Sequence, residues 1–326
     1  MLSIQLLLFR PGQRLRRLRA LFLLLALSGL FAGCESMQYP LNLFLGPPAA
    51  QPISWKPLFQ GVDIVRYSRW SPPLNLWCVR VDLAAPGISA VVTPQNGSRP
   101  LDTDGATTIR FLQSTHVQLA VNASPFYPVN GIAGSPRKIV GISESNGDRY
   151  SPPQGNDGAL LFDSKGRAWI VGQQQIGHPG APADIVNAVG GFSVILSKGR
   201  NLGSTDQRDP RTATGVSADH RYLYLLIVDG RQLAWSVGAT TRELASWLSF
   251  FGATDGLALD GGGSTTLAVG GPQGEAYLLN SPIDGLSPGK LRVVGNNLGI
   301  RALPLSAPAD LRRTLVSVAA APQNLR

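Results

Sequence analysis

Short apolar runs, bounded by glycine, proline, asparagine and aspartate, recur along the chain from about residue 61 to residue 304. Runs of this length are typical of strands, and the residues between them are typical of turns. The 37 glycines and 25 prolines of the chain indicate many such turns. The predicted strands are Val117–Asn122, Ala159–Phe162, Ala168–Val171, Tyr222–Val228, Gly256–Leu259 and Leu291–Gly295.

Other segments have the pattern of helices. One helix is predicted over Thr107–Thr115, and another short one over Leu311–Ala319. A third begins at Thr240, has Glu243 at the spacing of a capping box, and ends at Gly252. Its apolar residues at helical spacing are Leu244, Trp247, Leu248 and Phe251. These patterns predict an α+β fold, namely a β-rich single domain with a large mixed or antiparallel sheet and a few helices.

The first 33 residues have the pattern of an export signal. Five arginines between Arg10 and Arg19 precede an apolar run of 14 residues, Ala20–Gly33, which is too short for a comfortable membrane span. The end of the run and the following Cys34 form the segment Leu30-Phe31-Ala32-Gly33-Cys34, which resembles the lipobox of bacterial lipoproteins. We therefore predict a lipoprotein-type signal peptide, lipidation of Cys34 and a location in the bacterial cell envelope, on the periplasmic or surface side. An uncleaved amphipathic anchor is the alternative.

The rest of the chain divides by composition. Residues 34–60 are rich in proline, glutamine and alanine and indicate a tether to the membrane. Residues 61–304 contain no linker and are predicted to form one domain. Residues 305–326 are rich in alanine and proline and are predicted to be a dispensable tail.

Charge and cysteine content narrow the class of protein. The net charge of +9 falls to +4 without residues 1–33, leaving 24 basic against 20 acidic residues. Such a balance does not predict binding to nucleic acid, which requires clustered basic residues. If Cys34 carries a lipid, Cys78 has no partner for an intramolecular disulfide. Cys78 lies in a strand-like run and is predicted to be a small buried hydrophobe.

The densest chemical signal is the loop Asp260–Thr266, with three glycines after a short apolar strand. Consecutive glycines allow a close backbone approach or a positive φ angle, and Asp260 places a carboxylate beside them. The alternative is a tight glycine turn with a capping aspartate. The loop has neither the lysine of a phosphate-binding Walker loop nor the spacing of a dinucleotide fingerprint.

Three further segments carry candidate groups. Arg211 follows a proline at the start of a strand, and its planar guanidinium suits phosphate oxygens, although an ion pair with Asp209 is an equal alternative. Asp229 ends an apolar strand and is followed by glycine, a pattern that is also common in hairpin turns. Asn122 follows a strand and precedes an aromatic turn.

The sequence lacks the motifs of zinc hydrolases and of serine hydrolases. The three histidines do not have the spacing of a zinc site, and no G-x-S-x-G segment occurs. We predict no cofactor. The metal question stays open, because a divalent cation bound by Asp260 and backbone carbonyls is compatible with the loop.

In order and spacing over about residues 75–303, these segments resemble the phosphodiester glycosidase family. The matching segments are Asn122–Phe126, Arg211–Ala213, Asp229–Arg231, the helix with Glu243, Asp260–Ser264 and Arg292–Val294. One departure is Ala123-Ser124-Pro125, which stands where the family usually has glycines. The resemblance implies hydrolysis of a sugar-1-phosphate diester in envelope or extracellular glycans, with a glycan or phosphoglycan as partner.

The resemblance also implies roles for individual residues. The implied catalytic residues are Asp260, Glu243 and Asp229. The implied substrate- or phosphate-binding residues are Arg211, Thr212, Arg292, Asn122, Gly261, Gly262, Gly263, Ser264 and Thr265. For Glu243 a capping-box role is equally favoured. The alternative function, motivated by the departure after Asn122, is a non-catalytic envelope glycan-binding module that keeps the family pocket.

Overall fold

The structure is a computed structural model that describes residues 43–49, 51–155, 157–205, 207–285 and 287–319. From Phe44 onward the chain belongs to one compact unit. The predicted signal peptide, Cys34 and residues 35–42 of the predicted tether lie outside the described residues, so these predictions stay predictions. The rest of the predicted tether, apart from residue 50, is described: Leu45 and Leu58 are buried, and Lys56–Phe59 forms a strand of the largest sheet.

The described residues contain 23 strands, most of them short. In chain order they are β1 Lys56–Phe59, β2 Val62–Trp70, β3 Pro73–Asp82, β4 Ser89–Val92, β5 Thr103–Asp104, β6 Leu119–Asn122, β7 Phe126–Tyr127, β8 Pro136–Ile139, β9 Ser143–Ser145, β10 Asp148–Ser151, β11 Gly158–Asp163, β12 Ala168–Gly172, β13 Ile185–Gly190, β14 Val194–Ser197, β15 Arg200–Asn201, β16 Arg211–Val216, β17 Tyr222–Val228, β18 Asp255–Ala258, β19 Leu267–Gly270, β20 Ala276–Leu278, β21 Ile283–Asp284, β22 Ser287–Pro288 and β23 Asn297–Arg301.

Three α-helices accompany the strands: α1 Thr108–Thr115, α2 Thr241–Phe251 and α3 Pro308–Val318. Helix α2 begins with the predicted capping box, because the Thr240 side chain accepts from the Glu243 amide and the Glu243 side chain accepts from the Thr240 amide. It ends at Gly252, whose φ of +112° favours glycine. No helix in the described part of the chain is long and apolar enough to cross a membrane.

The largest sheet has eight strands in the order β1-β2-β3-β17-β16-β18-β14-β15, paired antiparallel. Two five-stranded sheets have the orders β10-β9-β13-β11-β12 and β20-β19-β6-β23-β4. Smaller sheets pair β21 with β22 and order β5-β8-β7. The predicted α+β fold with a large antiparallel sheet is therefore confirmed.

The main core lies between the large sheet and the two five-stranded sheets. Alternate residues of β17, such as Leu225 and Ile227, belong to the same buried cluster as Val121 of β6 and Leu160 of β11. Helix α2 covers the other face of the large sheet. There Gly215 provides the space, because a Cβ at this position would lie 2.6 Å from the Cβ of Ala253. Both faces of the central strands are thus buried.

One predicted strand is wrong. Within Leu291–Gly295 the backbone makes only an isolated bridge between Val294 and Ala106, and strand β23 begins later, at Asn297. The segment runs too close to another part of the chain to be paired along its length. Gly295 lies against Phe126, whose Cβ would be 2.7 Å from a Cβ at Gly295. The pattern of apolar residues was strand-like, but tertiary packing decided the backbone.

The C-terminal segment is part of the core. In α3, Leu311, Leu315 and Val318 are buried in the main cluster, and the indole nitrogen of Trp77 donates to the Val318 carbonyl at 2.6 Å. A segment that contributes buried side chains to the core stabilises it. We therefore expect the predicted tail to matter for folding. Cys78 is buried in β3 with a free thiol, in agreement with its predicted role as a small hydrophobe.

Two neighbouring residues of α3 test this expectation. Leu315 is 2% exposed and Val316 is 60% exposed. Leu315→Ala should lower the free energy of unfolding by about 2–5 kcal/mol because it leaves a cavity in the core, whereas Val316→Ala should change it by less than about 0.5 kcal/mol. Urea denaturation of both variants measures the difference. Equal stability of Leu315→Ala and the wild type would show that α3 is dispensable, as the sequence suggested.

Candidate active site

A cleft of about 390 Å³ lies at the end of the large sheet where β16 begins and β18 finishes. Ala213 pairs with Ala258 in these antiparallel strands, and the Leu259 amide donates to the Thr212 carbonyl, so the register places Arg211 opposite Asp260 two positions further along. Both residues line the cleft, together with Arg292 and the three glycines that follow Asp260. The sheet register therefore brings together groups that are far apart in the sequence.

The glycines after Asp260 make room for two arginines. Gly262 has φ +57°, and a Cβ there would lie 3.1 Å from the terminal guanidinium nitrogen of Arg231. A Cβ at Gly263 would collide with the guanidinium of Arg292. The glycines were predicted to allow a close approach to the backbone. In the structure, the groups that approach the loop backbone are these two guanidinium groups.

Protein atoms surround Asp260 on nearly all sides, but part of its side chain remains accessible from the cleft. Burial raises the pKa of its carboxyl to about 6, and the Ser264 hydroxyl and the positive charge of Arg292 act in the opposite direction. Arg292 is itself held by Asp284, with 2.9 Å between Nε and Oδ1. Asp260 is therefore a desolvated carboxylate beside a fixed cation.

Asn122 holds the loop from below. Its amide nitrogen donates to the Asp260 carbonyl at 2.5 Å, and its amide oxygen accepts from the Thr212 hydroxyl at 2.7 Å and from the Thr266 amide at 3.1 Å. Asn122 is fully buried and Thr212 is 1% exposed. Their side chains are thus used inside the protein, in positions that orient the loop and not in positions that face the cleft.

Ser264 and Thr265 are buried in the same region. The Ser264 hydroxyl lies 3.5 Å from the Arg292 guanidinium. The Thr265 hydroxyl has no hydrogen-bond partner among the described residues. Neither side chain lines the cleft, whereas the backbone of the preceding glycines does.

Glu243 serves the scaffold in this structure. Besides the Thr240 amide, its carboxylate accepts from the Arg208 guanidinium at 2.5 and 2.7 Å and from the Leu45 amide at 2.5 Å. It is 1% exposed and does not line the cleft. Because Arg208 lies three residues before Arg211, the pair fixes the segment that enters β16.

Asp229 holds the turn after β17. It accepts from the Trp235 indole at 2.7 Å, the Asn280 amide at 2.9 Å and the Ser281 backbone amide at 2.9 Å. Burial raises its pKa to about 6, and these hydrogen bonds act in the opposite direction. Asp229 is 1% exposed and lies outside the cleft lining, so its position suits support of the turn that carries Arg231.

Two charged residues of the cleft lining are not among the sequence candidates. Arg231 and Asp209 both line the cleft and pair at 2.8 Å. Arg231 belongs to the Asp229–Arg231 segment that was quoted for the family resemblance, which was the available signal. Asp209 had been considered only as an ion-pair partner of Arg211. Of the described residues, Asp209 and Asp260 are the two carboxylates of the cleft lining.

The described residues contain no group of three or more histidine, cysteine, aspartate or glutamate side chains that could hold a metal ion.

A family model described as phosphodiester glycosidase matches residues 115–301, a range that includes every predicted site residue from Asn122 to Arg292. The chain belongs to this family. The predicted resemblance is thereby confirmed. No curated protein gives a significant match.

Solved structures share the fold of this family member. A hypothetical protein from Synechocystis matches with a TM-score of 0.56 and 16% identity over 77% of this chain and 64% of its own, so the match spans less than two thirds of that protein. A Burkholderia pseudomallei protein described as a putative exported protein matches with a TM-score of 0.55 and 16% identity, over 70% of this chain and 74% of its own. The catalytic domain of zebrafish N-acetylglucosamine-1-phosphodiester alpha-N-acetylglucosaminidase matches with a TM-score of 0.55 and 18% identity. The match covers 79% of this chain and 87% of that domain. Identities this low support the fold alone.

The buried state of Asp260 predicts a specific pH dependence of stability. Its folded pKa of about 6 exceeds the ordinary value of 3.8, so the folded protein binds the proton more tightly than the unfolded chain. Asp260 therefore costs stability increasingly as the pH rises from about 4 to about 6, and the cost is complete above that range.

Asp260→Asn removes this cost without removing the side chain. We expect the melting temperature of the variant to exceed that of the wild type above pH 6, because only the wild type then buries a charge at position 260. The advantage should vanish near pH 4, where Asp260 of the folded wild type is protonated. Asp229 contributes equally to both proteins and does not affect the difference. Thermal denaturation of both proteins from pH 4 to pH 8 measures the difference. An advantage that is constant across this range would contradict the burial of the Asp260 charge.

Proposed function

We propose that this family member hydrolyses a sugar-1-phosphate diester at the bond between the anomeric carbon and the phosphate oxygen. The observation that carries the proposal is the pairing of one desolvated carboxylate, Asp260, with three arginines in a single cleft. Arg211, Arg231 and Arg292 approach from three different segments. The substrate requires both kinds of group, because its sugar carbon becomes positively charged as the phosphate departs.

The arginines suit the phosphate. A guanidinium presents planar pairs of donors that match phosphate oxygens, and three arginines against two aspartates leave the cleft lining positive. Arg211 is held by the Ala239 carbonyl at 3.0 Å and the Gln207 carbonyl at 2.7 Å. Arg292 is held by Asp284. Groups fixed before the substrate arrives stabilise developing charge without further reorganisation.

Asp260 suits the sugar carbon. In the proposed reaction the bond from the anomeric carbon to oxygen breaks, the electron pair leaves with the phosphomonoester, and water supplies the hydroxyl of the free sugar. A carboxylate at this position acts as nucleophile or as the base that takes the proton of water. The phosphomonoester is stable as an anion, so the leaving group needs cations more than it needs a general acid. Asp229 and Glu243 act through the scaffold in this proposal.

The proposed setting is the bacterial cell envelope. It is supported by the signal-like pattern before Cys34 and by the description of the Burkholderia relative as exported. The zebrafish relative is named for an N-acetylglucosamine-1-phosphodiester, which suggests the class of linkage. We infer that the substrate is a glycan or phosphoglycan outside the cytoplasm and that Cys34 carries the lipid that anchors the enzyme.

Asp260→Asn tests the proposed chemistry. The variant keeps the size of the side chain, and turnover of a sugar-1-phosphodiester should fall on the order of a thousandfold or more because the nucleophile or base is lost. Release of free sugar and phosphomonoester from synthetic diesters provides the measurement. Asp255→Asn is the matched control, since Asp255 lies at the opposite end of the same strand. A folded Asp260→Asn protein with wild-type turnover would defeat the assignment.

Arg292→Lys tests the phosphate contact. Lysine keeps the charge but loses the planar fork, so kcat/KM for a diester should fall about 10- to 100-fold. Turnover of a neutral glycoside with the same sugar should change much less. Arg292 is a cleaner choice than Arg211, whose guanidinium also binds two backbone carbonyls. Equal losses with both substrates would indicate that Arg292 acts only through the fold.

A glycan-binding module without activity is the competing function. Its motivation was the Ala123-Ser124-Pro125 departure, yet Ala123 is buried and its carbonyl accepts from the Asp260 amide at 2.9 Å, while Ser124 is 1% exposed. The departure therefore lies beneath the loop and not in the cleft lining. Retention of glycans by a wild-type protein that releases no sugar from any diester would favour the module.

A further inference from the structure

A second cleft, of about 420 Å³, lies beside the β2–β3 hairpin, and we call it the hairpin cleft. Arg66, Arg69, Trp70 and Asn75 of the hairpin line it. Ala234 and Trp235 from the turn after β17 and Ser317 from α3 complete it. None of these residues lines the cleft of Asp260.

The rim of the hairpin cleft combines an aromatic surface with a cation. Trp70 is 93% exposed, so nearly the whole indole is accessible to a ligand. Arg69 donates through Nε to the Ser71 carbonyl at 3.2 Å, and its two terminal nitrogens have no hydrogen-bond partner among the described residues. An indole face binds the apolar face of a sugar ring, and guanidinium donors bind hydroxyl or phosphate oxygens.

The floor of the hairpin cleft is rigid. The guanidinium of Arg66 lies 5.3 Å from the ring centres of both Trp77 and Trp235, and it donates to the Asn75 side chain at 2.9 Å. The Asn75 side chain in turn donates to the Trp235 carbonyl at 2.6 Å. A cleft whose walls are fixed by such contacts loses little entropy when a ligand binds.

The two clefts lie at the same end of the large sheet. There β2 and β17 finish, β3 and β16 begin, and β18 finishes. Four strand spacings separate β2 from β18, which is about 19 Å. The turn after β17 stands between the clefts: it gives Arg231 to one and Ala234 to the other, residues whose Cα atoms are at most about 11 Å apart.

We propose that the hairpin cleft is a subsite for neighbouring sugar units of a polymeric phosphoglycan whose diester is cleaved at Asp260. The inference rests on the proposed function and deepens it, because it makes a polymer the preferred substrate. A small diester is confined to the first cleft, whereas a chain that crosses the turn after β17 reaches both. The adjacency of the clefts and the unpartnered indole and guanidinium surfaces carry the proposal.

A membrane surface is the competing partner of an exposed tryptophan. The geometry favours the glycan, since Trp70 forms the rim of a concave cleft whose other walls include Arg66, Asn75 and Ser317. A membrane contact instead requires a projecting apolar surface. Ser68, which also lines the cleft, keeps this face of the hairpin polar.

The first experiment compares two substrates of one linkage: a polymer of N-acetylglucosamine-1-phosphate units and the methyl diester of N-acetylglucosamine-1-phosphate. Trp70→Ala and Arg69→Ala should each lower kcat/KM about tenfold for the polymer and leave it within about twofold for the methyl diester. Tyr127→Ala and Arg110→Ala are matched controls, because both residues are exposed and lie outside the two clefts. Equal effects on both substrates, or none on the polymer, would overturn the proposal.

The second experiment separates the subsite from the chemistry. Binding of the same polymer is measured by titration calorimetry with full chains that all carry Asp260→Asn, so that hydrolysis does not consume the polymer during the titration. An about tenfold higher Kd for Trp70→Ala supports the subsite even if neither substrate is hydrolysed, which would contradict only the proposed function. An unchanged Kd, or no binding by the Asp260→Asn protein with Trp70 intact, overturns the subsite. Loss of sedimentation with phosphatidylglycerol vesicles, with polymer binding unchanged, would assign Trp70 to a membrane instead.

Discussion

The site depends on one buried amide. Asn122 ends β6, which belongs to a five-stranded sheet, yet its side chain bonds to Thr212 of the large sheet and to the backbone on both sides of the glycine loop. A buried amide with satisfied donors and acceptors has only one arrangement of low free energy, because every alternative leaves a polar group unpaired. Because Asn122 connects the two sheets and also binds the Asp260 carbonyl, the packing of the sheets fixes the position of Asp260.

The same principle explains the use of charge around the cleft. Burying a carboxylate is costly, and the protein places several here: Asp229, Glu243 and Asp260. The first two have their oxygens occupied by amide, indole or guanidinium donors and so stabilise the turn and the helix start. Asp260 shares a raised pKa with Asp229 but differs in that it reaches the cleft, where Ser264 and Arg292 oppose the rise. A carboxylate that the scaffold does not satisfy fully is the one available to a substrate.

Several residues singled out from the sequence line one cleft of the structure, but the sequence did not reveal the contacts of Glu243 and Asp229. The α+β class, the capping box of α2 and the loop after Asp260 follow local rules of periodicity, capping and glycine geometry, and the structure agrees with them. The partners of Glu243 and Asp229 come from Leu45, Arg208 and Asn280, which no local pattern connects to them. The strand predicted at Leu291–Gly295 failed for the same reason, since its neighbours are distant in the sequence.

The turn after β17 contributes residues to both clefts within one short segment. Asp229 fixes its base, Arg231 points to the cleft of Asp260, and Trp235 closes the floor of the hairpin cleft. Because Asp229 binds the Trp235 indole directly, the two clefts share one anchor. The β2–β3 hairpin, by contrast, contributes nothing to the lining of the cleft of Asp260. Its tip can therefore change in length and composition while the arginines and Asp260 stay in place. Under the proposed function, the choice of glycan and the cleavage of its diester would then be set by different parts of the sheet.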